Sequence, residues 1–225
     1  MTDKKRAVFI SVIALFCCFV MAVVDGFWKP GYWIKAAIKI CIFLILPVIS
    51  SFFDKGLELK QVFKFEKKGF KTAILLCVPL YLLILGAYLL LKDVFDFSAI
   101  TGALTGDVGV NRENFIIVAL YISFVNSLLE EFFFRGFVFL SLKKFWDIKA
   151  AYILSAALFA AYHIAIMSGW FSVWLFLLAM VGLFVGGIIF NFLNSKSNNI
   201  YTSWLVHMFA NFAINTIGCM LFGII

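Results

Sequence analysis

Long apolar stretches, separated by short polar or basic segments, recur seven times along the chain. We expect membrane-spanning helices at 7–25, 33–53, 72–92, 114–142, 149–168, 171–193 and 200–223. Each has about 20 residues or more, the length that an α-helix needs to cross the hydrocarbon core of a bilayer. The pattern predicts an all-α fold, a polytopic integral membrane helix bundle that forms one domain over 1–225. About seven transmembrane helices are expected, within a range of six to eight, because the fourth stretch is long enough to be tilted, kinked or divided.

Composition supports a membrane protein. Apolar residues make up 64% of the chain and charged residues 14%, against about 45–50% and about 25% in soluble domains. The N-terminal basic residues precede an apolar run, 7–24, that is longer than the apolar part of a signal peptide, so we expect an uncleaved first helix. The five cysteines form no CxxC motif and lie in apolar runs, which predicts buried thiols.

The positive charges are distributed unevenly between the two ends of the predicted helices. With the N-terminus inside, thirteen of the nineteen Lys and Arg residues lie in the inner segments or at the inner ends of the spans, and four lie in the outer segments or at the outer ends. This asymmetry predicts a cytoplasmic N-terminus in what we take to be a bacterial plasma membrane. The net charge of +7 therefore reflects membrane topology, and no nucleic-acid partner is expected. The Lys-rich segment 55–71 is expected to lie along the lipid headgroups or to form a solvated loop.

A few polar side chains lie deep inside the predicted spans. Burying a charge near the bilayer centre costs several kcal/mol, so such residues usually face the bundle interior and serve a function. Taken singly, each has a structural explanation: an ion-pair clamp, an interhelical hydrogen bond or packing between helices. Taken together they predict a functional site. The residues are Glu130, Glu131, Arg135, His163, His207 and Asn211.

The spacing of these residues predicts how they share helix faces. Glu131 and Arg135 are four residues apart and are expected to pair, whereas Glu130 is turned by about 100° and stays available. His207 and Asn211 have the same i, i+4 spacing and are expected to present a joint polar face.

Phe159 is likewise placed to form a wall beside the imidazole of His163. At a rise of 1.5 Å per residue, the polar residues on three helices all fall between the cytoplasmic interface and the midplane. A cavity open to the cytoplasm is therefore expected.

Three motifs in this region resemble those of the CPBP (Abi) intramembrane proteases, a family that includes the type II CAAX prenyl endopeptidases. EEFFFR at 130–135 matches the pattern EExxxR, FAAYH at 159–163 matches FxxxH, and HMFAN at 207–211 matches HxxxN. The resemblance covers roughly 114–215, which is where we expect the catalytic core. It implies that Glu130 is a general base that activates water and that His163 helps to hold this water.

The same resemblance implies that His207 and Asn211 stabilise an oxyanion, with Glu131, Arg135 and Phe159 in support. The residue types suit amide hydrolysis, which needs a nucleophile, a proton shuttle and stabilisation of the oxyanion. A metal is the competing mechanism, since Glu130, His163 and His207 are an acceptable Zn ligand set. We favour the mechanism without a cofactor, and HExxH, the short zinc-protease motif, is absent from the sequence.

The predicted function is therefore hydrolysis of a peptide bond in a membrane-associated or lipid-modified peptide, close to membrane lipid at the cytoplasmic side. The main alternative is a non-catalytic membrane protein of the same fold that acts in bacteriocin self-immunity or binds a partner. A proton-coupled transporter is a third hypothesis. It is disfavoured because the sequence shows no pair of broken-helix repeats.

Overall fold

The computed structural model describes residues 1–67 and 69–225, and over these residues the chain forms helices and turns without a β-strand. Seven helices are long and apolar enough to cross a membrane, which confirms the predicted all-α polytopic bundle. Lys68, one of the predicted inner lysines, lies outside the described residues. The helices are α1 Asp3–Trp28, α2 Tyr32–Phe53, α3 Phe70–Leu91, α4 Ser98–Val108, α5 Phe115–Phe145, α6 Ile148–Met167, α7 Val173–Ser197 and α8 Tyr201–Leu221, α4 being the one that is too short to span.

Helix α5 is the centre of the bundle and packs against α1, α2, α6, α7 and α8. Helix α3 packs along α8, and α6 lies between α1 and α7. The crossing of α6 and α7 is close, because a Cβ atom on Gly187 would lie 3.0 Å from the Cα of Ala156. Small residues allow such approaches between membrane helices, where packing rather than exclusion of water holds the helices together.

The fourth predicted span is one helix of 31 residues rather than two. It contains two π-helical stretches, Ile122–Asn126 and Glu131–Leu140, and the second begins at the paired glutamates. A π-helix has i→i+5 hydrogen bonds, and such stretches often occur at functional sites. The contact predicted for Glu131 and Arg135 assumed the i, i+4 geometry of an α-helix. Both residues instead lie in the second π-helical stretch.

The Lys-rich segment between α2 and α3 is partly folded against the bundle. It contains two 3₁₀ turns, Lys55–Leu57 and Leu59–Phe63, whose side chains Leu57, Leu59 and Val62 are buried in the core. The backbone N–H of Ile200 donates to the carbonyl of Val62 at 3.1 Å. Lys55, Lys60, Lys64, Lys67 and Lys71 are exposed, so the apolar positions of the segment anchor a basic face at the end of the bundle.

Helix α4 was not predicted, since it lies in the connection between the third and fourth predicted spans. None of its residues is fully buried, although Leu104 and Val108 pack against a small apolar cluster that includes Phe115 and Val118. An ion pair of 2.9 Å between Lys29 and Asp107 joins it to the connection between α1 and α2. The prediction that all thiols are buried was also wrong at one position and holds only in part at Cys219, which is half-buried. Cys41 is exposed on α2. On a membrane helix an outward-facing thiol meets lipid rather than water, so its exposure costs little.

Candidate active site

Glu130 lies in the middle of α5, and its carboxylate is almost fully buried at 3% exposure. Its Oε1 accepts hydrogen bonds from Asn126 Nδ2 at 2.9 Å, Lys39 Nζ at 3.3 Å and the Tyr162 hydroxyl at 3.3 Å. Its Oε2 has no hydrogen bond to the residues that the structure describes and faces His207 Nε2 at 3.8 Å. Glu130 is thus fixed through one oxygen, while the other points at an imidazole.

Glu131 is fully buried and holds the other side of the same imidazole. His207 Nδ1 lies 2.9 Å from Glu131 Oε1, and the Ser203 hydroxyl donates to Oε2. Because an ionised carboxylate only accepts hydrogen bonds, Nδ1 carries the hydrogen in this contact. The His207 ring therefore lies between the carboxylates of two consecutive residues, with Nε2 directed at Glu130.

Arg135 is buried among aromatic rings. Its guanidinium carbon lies 4.1 Å from the ring centre of Phe159 and 4.9 Å from that of Phe190. Nη1 approaches Glu131 Oε1 to 3.5 Å, so the predicted ion pair is present. Within the described part of the chain, however, none of the three guanidinium nitrogens has a hydrogen-bond partner. Cation–π contacts therefore hold the guanidinium, and the hydrogen bonds of Glu131 go to His207 and Ser203.

His163 is half-buried, one turn from the C-terminal end of α6. Its Nδ1 lies 2.7 Å from the backbone carbonyl of Phe159, which only accepts, so Nε2 is left as the acceptor. The Phe159 ring meets the His163 ring edge to face, at 4.8 Å between ring centres, as predicted from the spacing. His163 makes no hydrogen bond to Glu130 among the described contacts.

Asn211 is close to the cluster but is engaged elsewhere. Its Nδ2 donates to the carbonyl of Ile122 at 3.2 Å, at the start of the first π-helical stretch of α5. One turn further along α8, Asn215 donates to the carbonyl of Ala119 at 3.0 Å and to Ser123 Oγ at 2.9 Å. The structure thus brings Glu130, Glu131 and His207 into contact and places Asn211 beside them as a bridge between α8 and α5.

Four residues of the site were not identified as site residues from the sequence: Lys39, Asn126, Tyr162 and Ser203. Asn126 and Ser203 carried a usable signal, since each lies four residues before a predicted site residue and shares its helix face. Tyr162 is the neighbour of His163. Lys39 lies inside the second predicted span, but its partner Glu130 lies 91 residues away in sequence.

The metal alternative needs Glu130, His163 and His207 to converge on one point. Over residues 1–67 and 69–225 no group of three or more His, Cys, Asp or Glu side chains is arranged to hold a metal ion. His207 uses Nδ1 on Glu131, and the hydrogen-bonded oxygen of Glu130 already receives three donors. The side chains as placed do not fit a metal, and the expected absence of a cofactor stays a prediction.

Comparison with known families matches residues 112–213 to the description "Type II CAAX prenyl endopeptidase Rce1-like". No curated protein and no solved structure gives a match. The matched residues contain all three motifs, from EEFFFR to HMFAN, and the helices α5 to α8 that carry them up to residue 213. Its seven apolar helices make the protein an integral membrane protein, and the match over 112–213 relates the chain to the Rce1-like type II CAAX prenyl endopeptidases and so to the CPBP (Abi) family of intramembrane proteases.

Proposed function

We propose that the protein is an intramembrane endopeptidase that hydrolyses a peptide bond in a membrane-associated or lipid-modified peptide. The observation that carries the proposal is the arrangement of Glu130. Its Oε1 is fixed by three donors, whereas its Oε2 faces His207 Nε2 at 3.8 Å. This separation is too long for a direct hydrogen bond and suits a water held against Oε2.

In the proposed reaction, Glu130 Oε2 takes a proton from this water while the water oxygen attacks the carbonyl carbon of the substrate. His163 Nε2, which is free to accept, orients the water. The tetrahedral intermediate carries a negative charge on the former carbonyl oxygen. Collapse of the intermediate breaks the C–N bond, and Glu130 returns the proton to the leaving nitrogen, so that water has been added across the peptide bond.

The oxyanion needs hydrogen-bond donors placed in advance. Asn211 has two amide hydrogens, of which one is used on Ile122, so the second is available. A protonated His207 supplies an N–H at Nε2, with Nδ1 held by Glu131. Glu131 and Ser203 thus orient the ring and do not contact the reacting atoms.

Substrate and orientation are also part of the proposal. The relation to type II CAAX prenyl endopeptidases supports a peptide with a lipid-modified C-terminal segment. The basic face of segment 55–71 and the lysines at the same end of the bundle support a cytoplasmic N-terminus and a site that opens toward the cytoplasm, in a bacterial plasma membrane.

Mass spectrometry of peptides incubated with the purified protein tests the proposal. The probes are a farnesylated peptide with a CAAX end and the same peptide without the lipid. We expect a new C-terminus with the wild type and a loss on the order of 10²–10⁴-fold with Glu130→Gln or His163→Ala. Glu113→Gln, an exposed carboxylate before α5, is the matched control and should cleave like the wild type. Equal cleavage by Glu130→Gln and the wild type contradicts the proposal.

The non-catalytic alternative gives a different result in cells. If the protein acts by binding a partner, Glu130→Gln and His163→Ala retain full cellular function at normal expression. If it acts by hydrolysis, both variants lose that function while their expression and folding persist.

A further inference from the structure

Lys39 brings a positive charge to Glu130 from outside the Rce1-like region. It lies on α2, and its side chain is 12% exposed. Its ammonium group lies 3.3 Å from Glu130 Oε1 and 2.7 Å from Asn126 Oδ1. The same group lies 5.0 Å from the ring centre of Tyr162. Two oxygens and one aromatic face therefore surround the ammonium, which makes this a specific position for a cation.

A carboxylate as deeply buried as Glu130 needs a nearby positive charge to remain ionised. Arg135 is directed toward Glu131 and the Phe159 and Phe190 rings. Asn126 and Tyr162 also donate hydrogen bonds to Glu130, but both donors are uncharged. Of the titratable groups around Glu130, Lys39 of α2, Tyr162 of α6 and His207 of α8 contact its carboxylate. Glu131 lies on the far side of the His207 ring. The others nearby are Tyr32, Tyr121, Arg135 and His163.

We propose that Lys39 is a positioning residue for Glu130: it keeps this carboxylate ionised and holds Oε1, so that Oε2 is left to act on water. The effect of Lys39 on the reaction with water rests on the proposed function, whereas its effect on the charge state of Glu130 does not. Helix α2, which lies outside the matched residues 112–213, would then contribute directly to the active site.

The chain offers a matched control on the same helix. Lys35 lies one turn before Lys39, has a side chain that is 14% exposed, and pairs with Asp25 Oδ1 at 2.9 Å. Lys35 is thus another lysine of α2 with a largely buried side chain, and it pairs with a different carboxylate. Replacing either lysine with Met removes one charge at similar volume, but only the change at Lys39 removes the counter-ion of Glu130.

Infrared difference spectroscopy at neutral pH reads the charge state of Glu130 without any substrate. The difference between the wild type and Glu130→Gln should show carboxylate bands and no carboxylic-acid carbonyl band. The same comparison made on a Lys39→Met background should show the acid band. On Lys39→Arg and Lys35→Met backgrounds it should show carboxylate again. An acid band in the wild type, or a carboxylate that persists in Lys39→Met, overturns the proposal.

Folding of the variants provides an independent check. Lys39→Met leaves a buried carboxylate without its cation, so a lower folded yield is expected. The double variant Lys39→Met/Glu130→Gln removes both charges and should recover the folded yield. If Lys39→Met does not fold, recovery of the folded yield in the double variant supports the ion pair between Lys39 and Glu130. Continued misfolding of the double variant contradicts it.

Cleavage kinetics separate a failure of this proposal from a failure of the proposed function. We expect Lys39→Met to lower kcat on the order of 10²-fold with KM unchanged, and Lys39→Arg to recover it to within about tenfold. If the wild type cleaves and Lys39→Met cleaves equally well, the role of Lys39 is refuted alone. If the wild type cleaves none of the peptides, the proposed function fails, and the spectra still decide the charge state.

Discussion

Replacing Ser203 with Ala should destabilise the folded protein more than almost any other loss of one hydroxyl group. Ser203 is fully buried on α8; its hydroxyl donates to Glu131 Oε2 and accepts from Asn194 Nδ2 at 2.7 Å. The substitution leaves a carboxylate oxygen without its donor and an amide N–H without its acceptor. Leaving a buried polar group unsatisfied costs about 1–3 kcal/mol, and more for a charged one. We therefore expect a loss of about 2–4 kcal/mol in the free energy of unfolding.

Denaturant unfolding in detergent micelles, followed by circular dichroism, measures this loss. Ser11→Ala is the control, because its hydroxyl donates only to the carbonyl of Ala7 in the same helix, so its removal should change stability by less than about 0.5 kcal/mol. In the double variant with Glu131→Gln the two losses should not add, since the two residues are in contact. A Ser203→Ala variant within about 0.5 kcal/mol of the wild type would refute the described network.

Three further predictions concern packing, pH and metal. Gly187→Val should destabilise the protein by about 1–3 kcal/mol, because its side chain would collide with Ala156, whereas Gly182→Ala, which meets open space, should not; denaturant titration compares them. The hydrogen bond from Arg6 lowers the pKa of Asp54. The ionised carboxylate therefore stabilises the fold at pH values above the ordinary pKa of aspartate, and this stabilisation is lost as the pH falls through the lowered pKa. Asp54→Asn should therefore lower the melting temperature at neutral pH and leave it unchanged at strongly acidic pH; equal melting temperatures at neutral pH contradict this. Exhaustive chelation should leave peptide cleavage intact, with no metal found by elemental analysis, and a loss of cleavage that Zn²⁺ restores would show the opposite.

The helices were predictable because their information is local. A run of about 20 apolar residues is sufficient to indicate a span, and all seven agree with the structure to within a few residues. Helix α4 lies outside this rule because Ser98–Val108 has only eleven residues, too few to cross a bilayer. The burial of Leu57, Leu59 and Val62 was likewise missed, because their neighbouring lysines dominate the pattern of that segment.

The site was predictable in part because several of its residues recur at helical spacing. Glu130, Glu131 and His207 were identified as site residues and do meet in the structure. Contacts between distant helices were not predictable, since nothing in the spacing connects Lys39 of α2 with Glu130 of α5. The π-helical stretch that begins at Glu131 also alters the relation between neighbouring turns, a feature that hydrophobic periodicity does not reveal.

Glu130 is the carboxylate that activates water in the proposed reaction, and the roles of the other site residues depend on it. The most direct measurement is the rate at which the purified protein releases the C-terminal fragment of a farnesylated peptide, compared among the wild type, Glu130→Gln and Glu113→Gln. We predict equal rates for the wild type and Glu113→Gln and a fall on the order of 10²-fold or more for Glu130→Gln, with all three proteins equally folded. Cleavage by Glu130→Gln at the rate of the wild type would contradict the account.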